Sequence, residues 1–188
     1  MKTIGLTGPS GSGKTTVSKV AKELGFFVID CDKIARDVSS DREVLENLER
    51  TFGEVLINGV LDRKALAKKA FSTKENTKKL NDIMLPKISA RIKEIIKGQK
   101  QNVLLDAPTL FESGLDRECD AVLAVLADEE IRRKRLTARD SLNEEQLESR
   151  IKAAKPDEFY TEKTGYIIYN NNDIKSAYEK AEKILRSF

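Results

Sequence analysis

A chain of 188 residues is long enough for one domain, or for one domain with an inserted subdomain, and 39% hydrophobic with 35% charged residues is a globular composition. Its 34 Lys and Arg against 31 Asp and Glu leave a net charge of +3, too little for a protein that coats nucleic acid by bulk charge. The absence of histidine removes Ser-His-Asp and Cys-His catalysis and imidazole metal ligation, so any general acid or base is another group.

Ile4 to Thr7 is an apolar run that ends at glycine, and Val17, Val20, Ala21 and Leu24 follow at helical spacing, so the chain opens strand, loop, helix. Neither an export signal nor a membrane span is expected, because MKTIGLTG lacks a signal pattern and no window holds 18 apolar residues. Gly25 stops the first helix, and Phe26 to Ile29 forms a second run that meets Asp30 and Asp32. Residues 38–100 carry no strand signal and read as inserted helices. One runs through Val44, Leu45, Leu48 and Phe52, one spans Ala65 to Phe71, and one runs from Leu80 to Ile96, interrupted at Pro86 and ended by Gly98. Asn102 to Leu105 before Asp106, then Ala121 to Leu126, then the weaker Tyr166 to Tyr169, complete five runs. Little polar alternation within them predicts an α/β fold with a mainly parallel five-stranded sheet flanked by helices. Asn143 with Gln146 predicts a capped helix through Ile151, and Ile174, Ala177, Tyr178, Ala181, Leu185 and Phe188 share one side of a last helix. Cys31 and Cys119 have neither zinc nor disulfide spacing, which suits a reduced, cytoplasmic setting.

Gly8 to Thr15 reads GPSGSGKT and fits G-x-x-x-x-G-K-[ST] at every fixed position, between a predicted strand and a predicted helix. This is a P-loop pattern. Main-chain N–H groups of Gly11, Ser12 and Gly13 and the helix N-terminus would wrap the phosphates of ATP. Lys14 would add charge near the β and γ groups, the Thr15 hydroxyl would ligate Mg²⁺, and Thr16 would assist. The alternative is a glycine-rich turn with an exposed lysine. Transfer needs a group that activates an acceptor, and the candidates are Asp30 and Asp32 at the end of the second strand, with Asp32 the base. Both could instead cap the next helix. Asp106 stands where a carboxylate holds Mg²⁺ through water, or simply ends a strand, and Glu112 beyond it could contact the acceptor or lie exposed. Arg132, Arg135 and Arg139 recur at helical spacing, so three guanidinium groups could fold over a triphosphate as a lid at about residues 130–155. Pairing with Glu129 and Glu130 is the plainer alternative. Without interleaved aromatics the cluster does not suit nucleic acid.

GLTGPSGSGKTT at Gly5 to Thr16 joins two further patterns: Asp30, Asp32, Ile34, Ala35 and Arg36, and Asp106, Pro108, Leu110, Phe111, Glu112, Gly114 and Leu115. In this order, with the insertion between them, the sequence resembles the dephospho-CoA kinase family of P-loop kinases over nearly its whole length. Arg135 to Asp140 and the segment around Asn170 extend the likeness. The resemblance implies transfer of the ATP γ-phosphate to the ribose 3′-hydroxyl of dephospho-CoA with Mg²⁺. It makes 1–37 and 101–188 a kinase core and 38–100 an acceptor-binding insertion. It gives Asp32 the base role and Arg36 an acceptor or phosphate contact, and it puts Arg135 and Arg139 in the lid. Leu85 stands before Pro86 where the family commonly has His, and Lys155 where it commonly has Gln. The rival assignments are a kinase for nucleoside monophosphates or another small molecule, and a nucleotide-dependent switch. No N-K-x-D guanine motif is present.

Overall fold

The computed structural model describes residues 1–140 and 143–188, with Asp140 described by its backbone alone. The five apolar runs form β1 (Thr3–Thr7), β2 (Phe27–Asp30), β5 (Val103–Asp106), β6 (Ala121–Leu126) and β7 (Tyr166–Tyr169), joined in the order β2-β5-β1-β6-β7. Strand β1 pairs in parallel with β5 and β6, setting Ile4 opposite both Leu104 and Ala121, and β6 pairs in parallel with β7. All five residues of β1 are buried. That is why the strand shows no polar alternation, since helices cover both faces of a parallel sheet. On one face Ile4, Leu6, Leu104 and Leu123 pack with Val17 and Val20 of α1 (Lys14–Glu23) and with Ala181 and Leu185 of α9 (Ile174–Leu185). On the other, Ala124 and Leu126 pack with Tyr160 of α8 (Asp157–Thr161). Ile174 departs from its expected place on the buried side of the last helix. It is the first helical residue and is 74% exposed.

The chain divides into two compact units, residues 1–29 with 99–188, and residues 30–98. The second unit begins at Asp30, ahead of the boundary expected at residue 38, because α2 (Cys31–Val38) packs on α5 (Lys74–Lys97). Helices α3 (Arg42–Phe52) and α4 (Arg63–Ala70) pack on α5 as well, burying Val44, Leu48, Leu66, Ile88 and Ile92. Side-chain caps start α2, α4 and α5, whereas Asp41 ahead of α3 makes no such bond. Asp30 accepts from the Lys33 N–H, Asp62 from Lys64 and Ala65, and Thr73 from Asn76. Pro86 does not interrupt α5. One continuous helix carries it, as a single missing donor is tolerated when the apolar face on either side is packed. The unit also holds a hairpin absent from the sequence expectation, β3 (Leu56–Ile57) with β4 (Val60–Leu61). Asn58 and Gly59 both have positive φ, 52° and 78°, the primed turn that an Asn-Gly pair favours.

Candidate active site

The cradle belongs to the first unit. It follows the carboxyl end of β1, the central strand, from which one connection leads to β2 on one side while the later strands β6 and β7 lie on the other. Open α/β sheets bind ligands at such a switch in direction. Gly8 has φ 135°, and a Cβ there would come within 2.1 Å of the Val125 carbonyl, so only glycine lets the loop leave the sheet here. Gly13, at φ 102°, precedes α1 without a side-chain cap, and the first turn of α1 carries no acidic residue. These amides are therefore oriented for an outside anion. The Lys14 ammonium donates to the carbonyls of Gly8 at 2.7 Å and Pro9 at 3.2 Å. Ser12 is fully buried, and the Thr16 N–H bonds back to the Gly13 carbonyl at 3.0 Å.

Asp106 ends β5 beside the cradle, as Thr7 Oγ1 donates to the Pro108 carbonyl at 3.2 Å and the Ala107 N–H to Leu6 at 3.0 Å. Its Oδ2 accepts a 2.7 Å bond from Ser18 Oγ. Ser18 lies one helical turn beyond Thr15, so Thr15 and the residue that holds Asp106 share a side of α1. A hydroxyl and a carboxylate are hard oxygen donors of the kind Mg²⁺ takes, with phosphate and water oxygens completing its shell. Among the described residues no group of three His, Cys, Asp or Glu could hold a metal by itself, so the donors fit an ion that arrives with a nucleotide.

Helix α6 (Glu129–Asp140) separates the arginines that spacing placed on one face. Arg135 reaches the cradle, with Nη1 3.5 Å from the Gly11 carbonyl and 3.4 Å from that of Ser12. Arg139 is exposed near the helix end. Arg132 does not join them. It is buried, and its Nε donates to the Ala127 carbonyl at 3.1 Å, because the helix packs its first turn against the end of β6. Arg133 pairs with Glu129 and Glu148, linking α6 to α7 (Glu144–Lys152), which starts with the expected Asn143–Gln146 capping box. Within the expected lid, residues 141 and 142 lie outside the described residues.

Glu112 is exposed in the turn after β5 and lies close enough to Tyr160 to act on its phenol. Burial above all, then the Glu112 charge, pushes that phenol up to about 12. Burial, reinforced by Asp116, Glu118 and Asp120, likewise pushes the Cys119 thiol up to about 12, which disfavours its thiolate. Asp30, Asp32 and Arg36 belong to the helical unit. Asp30 caps α2 with a 2.9 Å bond from the Lys33 N–H, whereas Asp32 is exposed in the first helical turn. Arg36 lines a cleft of about 320 Å³ together with Leu61, Arg63, Leu66, Phe71 and Met84. Phe71 is 66% exposed there, just past the end of α4, and Arg63 Nη2 holds the Ser39 hydroxyl at 3.1 Å.

Ser18, Arg63 and the side chain of Asn170 escaped the sequence analysis. Ser18 had a signal, since it is the one polar residue between Val17 and Val20 on the buried side of α1. The contacts of Arg63 and Asn170 join positions far apart in sequence, which no local pattern announces.

A parallel sheet, a phosphate cradle between its central strand and a helix, and a carboxylate at the end of the neighbouring strand define a P-loop kinase. The fold is shared with a Campylobacter jejuni dephospho-CoA kinase, at a TM-score of 0.73 and 27% identity over 98% of this chain and 96% of that one. A Thermus thermophilus protein superposes with a TM-score of 0.89 at 32% identity, covering 99% and 96% of the two chains. The family model for dephospho-CoA kinase matches residues 2–176. The dephospho-CoA kinase of Fusobacterium nucleatum is 41% identical over 183 residues, 96% of this chain and 95% of its relative. The chain belongs to the dephospho-CoA kinase family.

Proposed function

We propose that this protein transfers the γ-phosphate of ATP to the ribose 3′-hydroxyl of dephospho-CoA, giving CoA and ADP. The observation that carries the proposal is the uncapped start of α1 behind Gly13 in a chain of this family. The amides of Gly11, Ser12, Gly13, Lys14 and Thr15 bind the phosphates, Thr16 assists through its side chain, and the Lys14 ammonium leaves its loop carbonyls for the β and γ oxygens when ATP enters. Thr15 and, through water, Asp106 would hold Mg²⁺, and the ion would supply positive charge against the phosphates. Asp32 accepts the proton of the attacking hydroxyl. A carboxylate suffices, as a loose phosphoryl-transfer transition state asks chiefly for positioning and late proton removal. Arg135 and Arg139, in a lid of about residues 130–155, neutralise the moving phosphoryl group and exclude water that would hydrolyse ATP.

The helical unit takes the acceptor. Asp30, whose Oδ1 is engaged by Lys33, offers its other oxygen, and Arg36 meets an acceptor phosphate. Glu112 of the kinase core contributes a further acceptor contact. The mostly apolar cleft beside Arg36 and Arg63 suits an amphipathic chain carrying phosphates at one end, as the pantetheine arm does. We assign the protein to the cytoplasm on its two cysteines, which have neither zinc nor disulfide spacing. No helix among the described residues is long and apolar enough to cross a membrane.

The test is mass-spectrometric detection of CoA formed from ATP, Mg²⁺ and dephospho-CoA. Appearance of CoA with stoichiometric ADP is expected. Preference for AMP, CMP or UMP as acceptor would assign the chain to nucleotide phosphorylation instead, and nucleotide-dependent partner binding without any phosphorylated product would make it a switch.

A further inference from the structure

Asn170 follows β7 directly, is only 6% exposed, and is fixed by its own N–H, which donates to the Leu126 carbonyl at 2.8 Å. Its neighbour Asn171 is fixed in turn. Asn171 Oδ1 accepts from the Asp128 N–H at 2.9 Å, and its Nδ2 donates to the Asp128 carboxylate at 2.7 Å. From this anchored position Asn170 Nδ2 donates to the Ser12 carbonyl at 2.8 Å. The group sits so close to the cradle that a Cβ on Gly13 would lie 2.1 Å from it. Arg135 Nη2 lies 3.4 Å from Asn170 Oδ1, so the two ends of the amide face a donor and an acceptor and its orientation is determined.

A trans peptide is planar, with its C=O and N–H pointing to opposite sides. Holding the Ser12 oxygen towards Asn170 therefore turns the Gly13 N–H to the opposite side, where phosphates bound in the cradle would lie. We propose that Asn170 is a positioning residue of the phosphate cradle, locking the Ser12–Gly13 peptide with its N–H presented to the nucleotide's phosphate tail. The bond is buried, so its donor is not replaced by water when the side chain is changed. Arg135 adds positive charge beside the carbonyls of Gly11 and Ser12, favouring the same orientation. This inference rests on the cradle's binding of phosphate and is independent of the acceptor's identity.

Calorimetric titration of the wild-type protein, Asn170→Ala and Asn170→Ser, both uncharged, with ATP, inorganic tripolyphosphate and adenosine tests it. The wild type binding tripolyphosphate is the control for the cradle itself, and its failure to do so would overturn the phosphate assignment rather than the role of Asn170. Loss of a buried hydrogen bond predicts about tenfold weaker binding of both ATP and tripolyphosphate by the variants, with adenosine affinity held within about twofold. Unchanged tripolyphosphate affinity overturns the proposal, whether or not adenosine binding falls. Equal weakening of all three ligands also overturns it, since that marks a general loss of structure. Thermal melting identifies a variant that does not fold, and the serine form, whose hydroxyl is one bond too short to take over the amide's hydrogen bond to the Ser12 carbonyl, decides the case if the alanine form fails.

Discussion

At Lys14 the ammonium is held by two carbonyls of its own loop, 2.7 and 3.2 Å away, so the charge waits beside the place where a nucleotide's phosphates would lie. Lys14→Ala should lower kcat/KM by roughly 100-fold or more, as the lost charge acts on the moving phosphoryl group, and steady-state kinetics at wild-type level would remove the residue from the machinery. Asp32 has a different signature. It is exposed in the first turn of α2, whereas Asp30 makes the capping bond, so removing its charge should leave the helix standing. For Asp32→Asn we expect kcat to fall by about 100- to 10,000-fold with the KM for ATP changed less than about threefold, measured under saturating acceptor. A change confined to KM for ATP would assign Asp32 to nucleotide binding.

Among the elements, the pairing of β1 with β6 begins at a single carboxylate. Asp120 accepts a 2.7 Å bond from the Thr3 N–H through Oδ2 and pairs with Lys2 through Oδ1 at 3.2 Å, while its own N–H donates to the Thr3 carbonyl at 2.7 Å. The Thr3 N–H first, then the Lys2 ammonium, holds this carboxyl below the ordinary carboxylate range. A depressed folded value means the added stability is fully present above the unfolded value of about 3.9 and is lost as pH falls through the folded one. Asp120→Ala should therefore cost only about 1 kcal/mol near neutrality, because the side chain is 43% exposed and solvent screens its charge. In urea denaturation that difference should shrink towards zero at the acid end. A constant difference across pH would mean that packing, not charge, is lost.

Across the molecule, the sheet core under the cradle is the stabilising mass, with Ile4, Leu6, Leu104 and Leu123 fully buried between α1, α9 and the neighbouring strands. Leu104→Ala leaves a cavity there and should cost about 2–5 kcal/mol in chemical denaturation, while kcat at a temperature where the variant stays folded should be near wild type. A loss of kcat with stability unchanged would mean that β5 transmits strain directly to Asp106.

The five strand runs, the first and last helices, the capping box at Asn143 and the whole phosphate-cradle pattern were legible in the sequence, because each depends on local periodicity or on a glycine and lysine spacing that the chain itself sets. The Asn58–Gly59 hairpin had its signal too, but strands two residues long leave no alternation to notice. What tertiary structure decided was direction. Helical spacing put three arginines on one face, yet packing turned Arg132 into the protein and brought Arg135 to the Ser12 carbonyl. It let α5 run through Pro86, and it joined Ser18 to Asp106 across 88 residues and Asn170 to Ser12 across 158. Such partners are chosen by the space left when distant elements close on one another, a quantity no stretch of neighbouring residues contains.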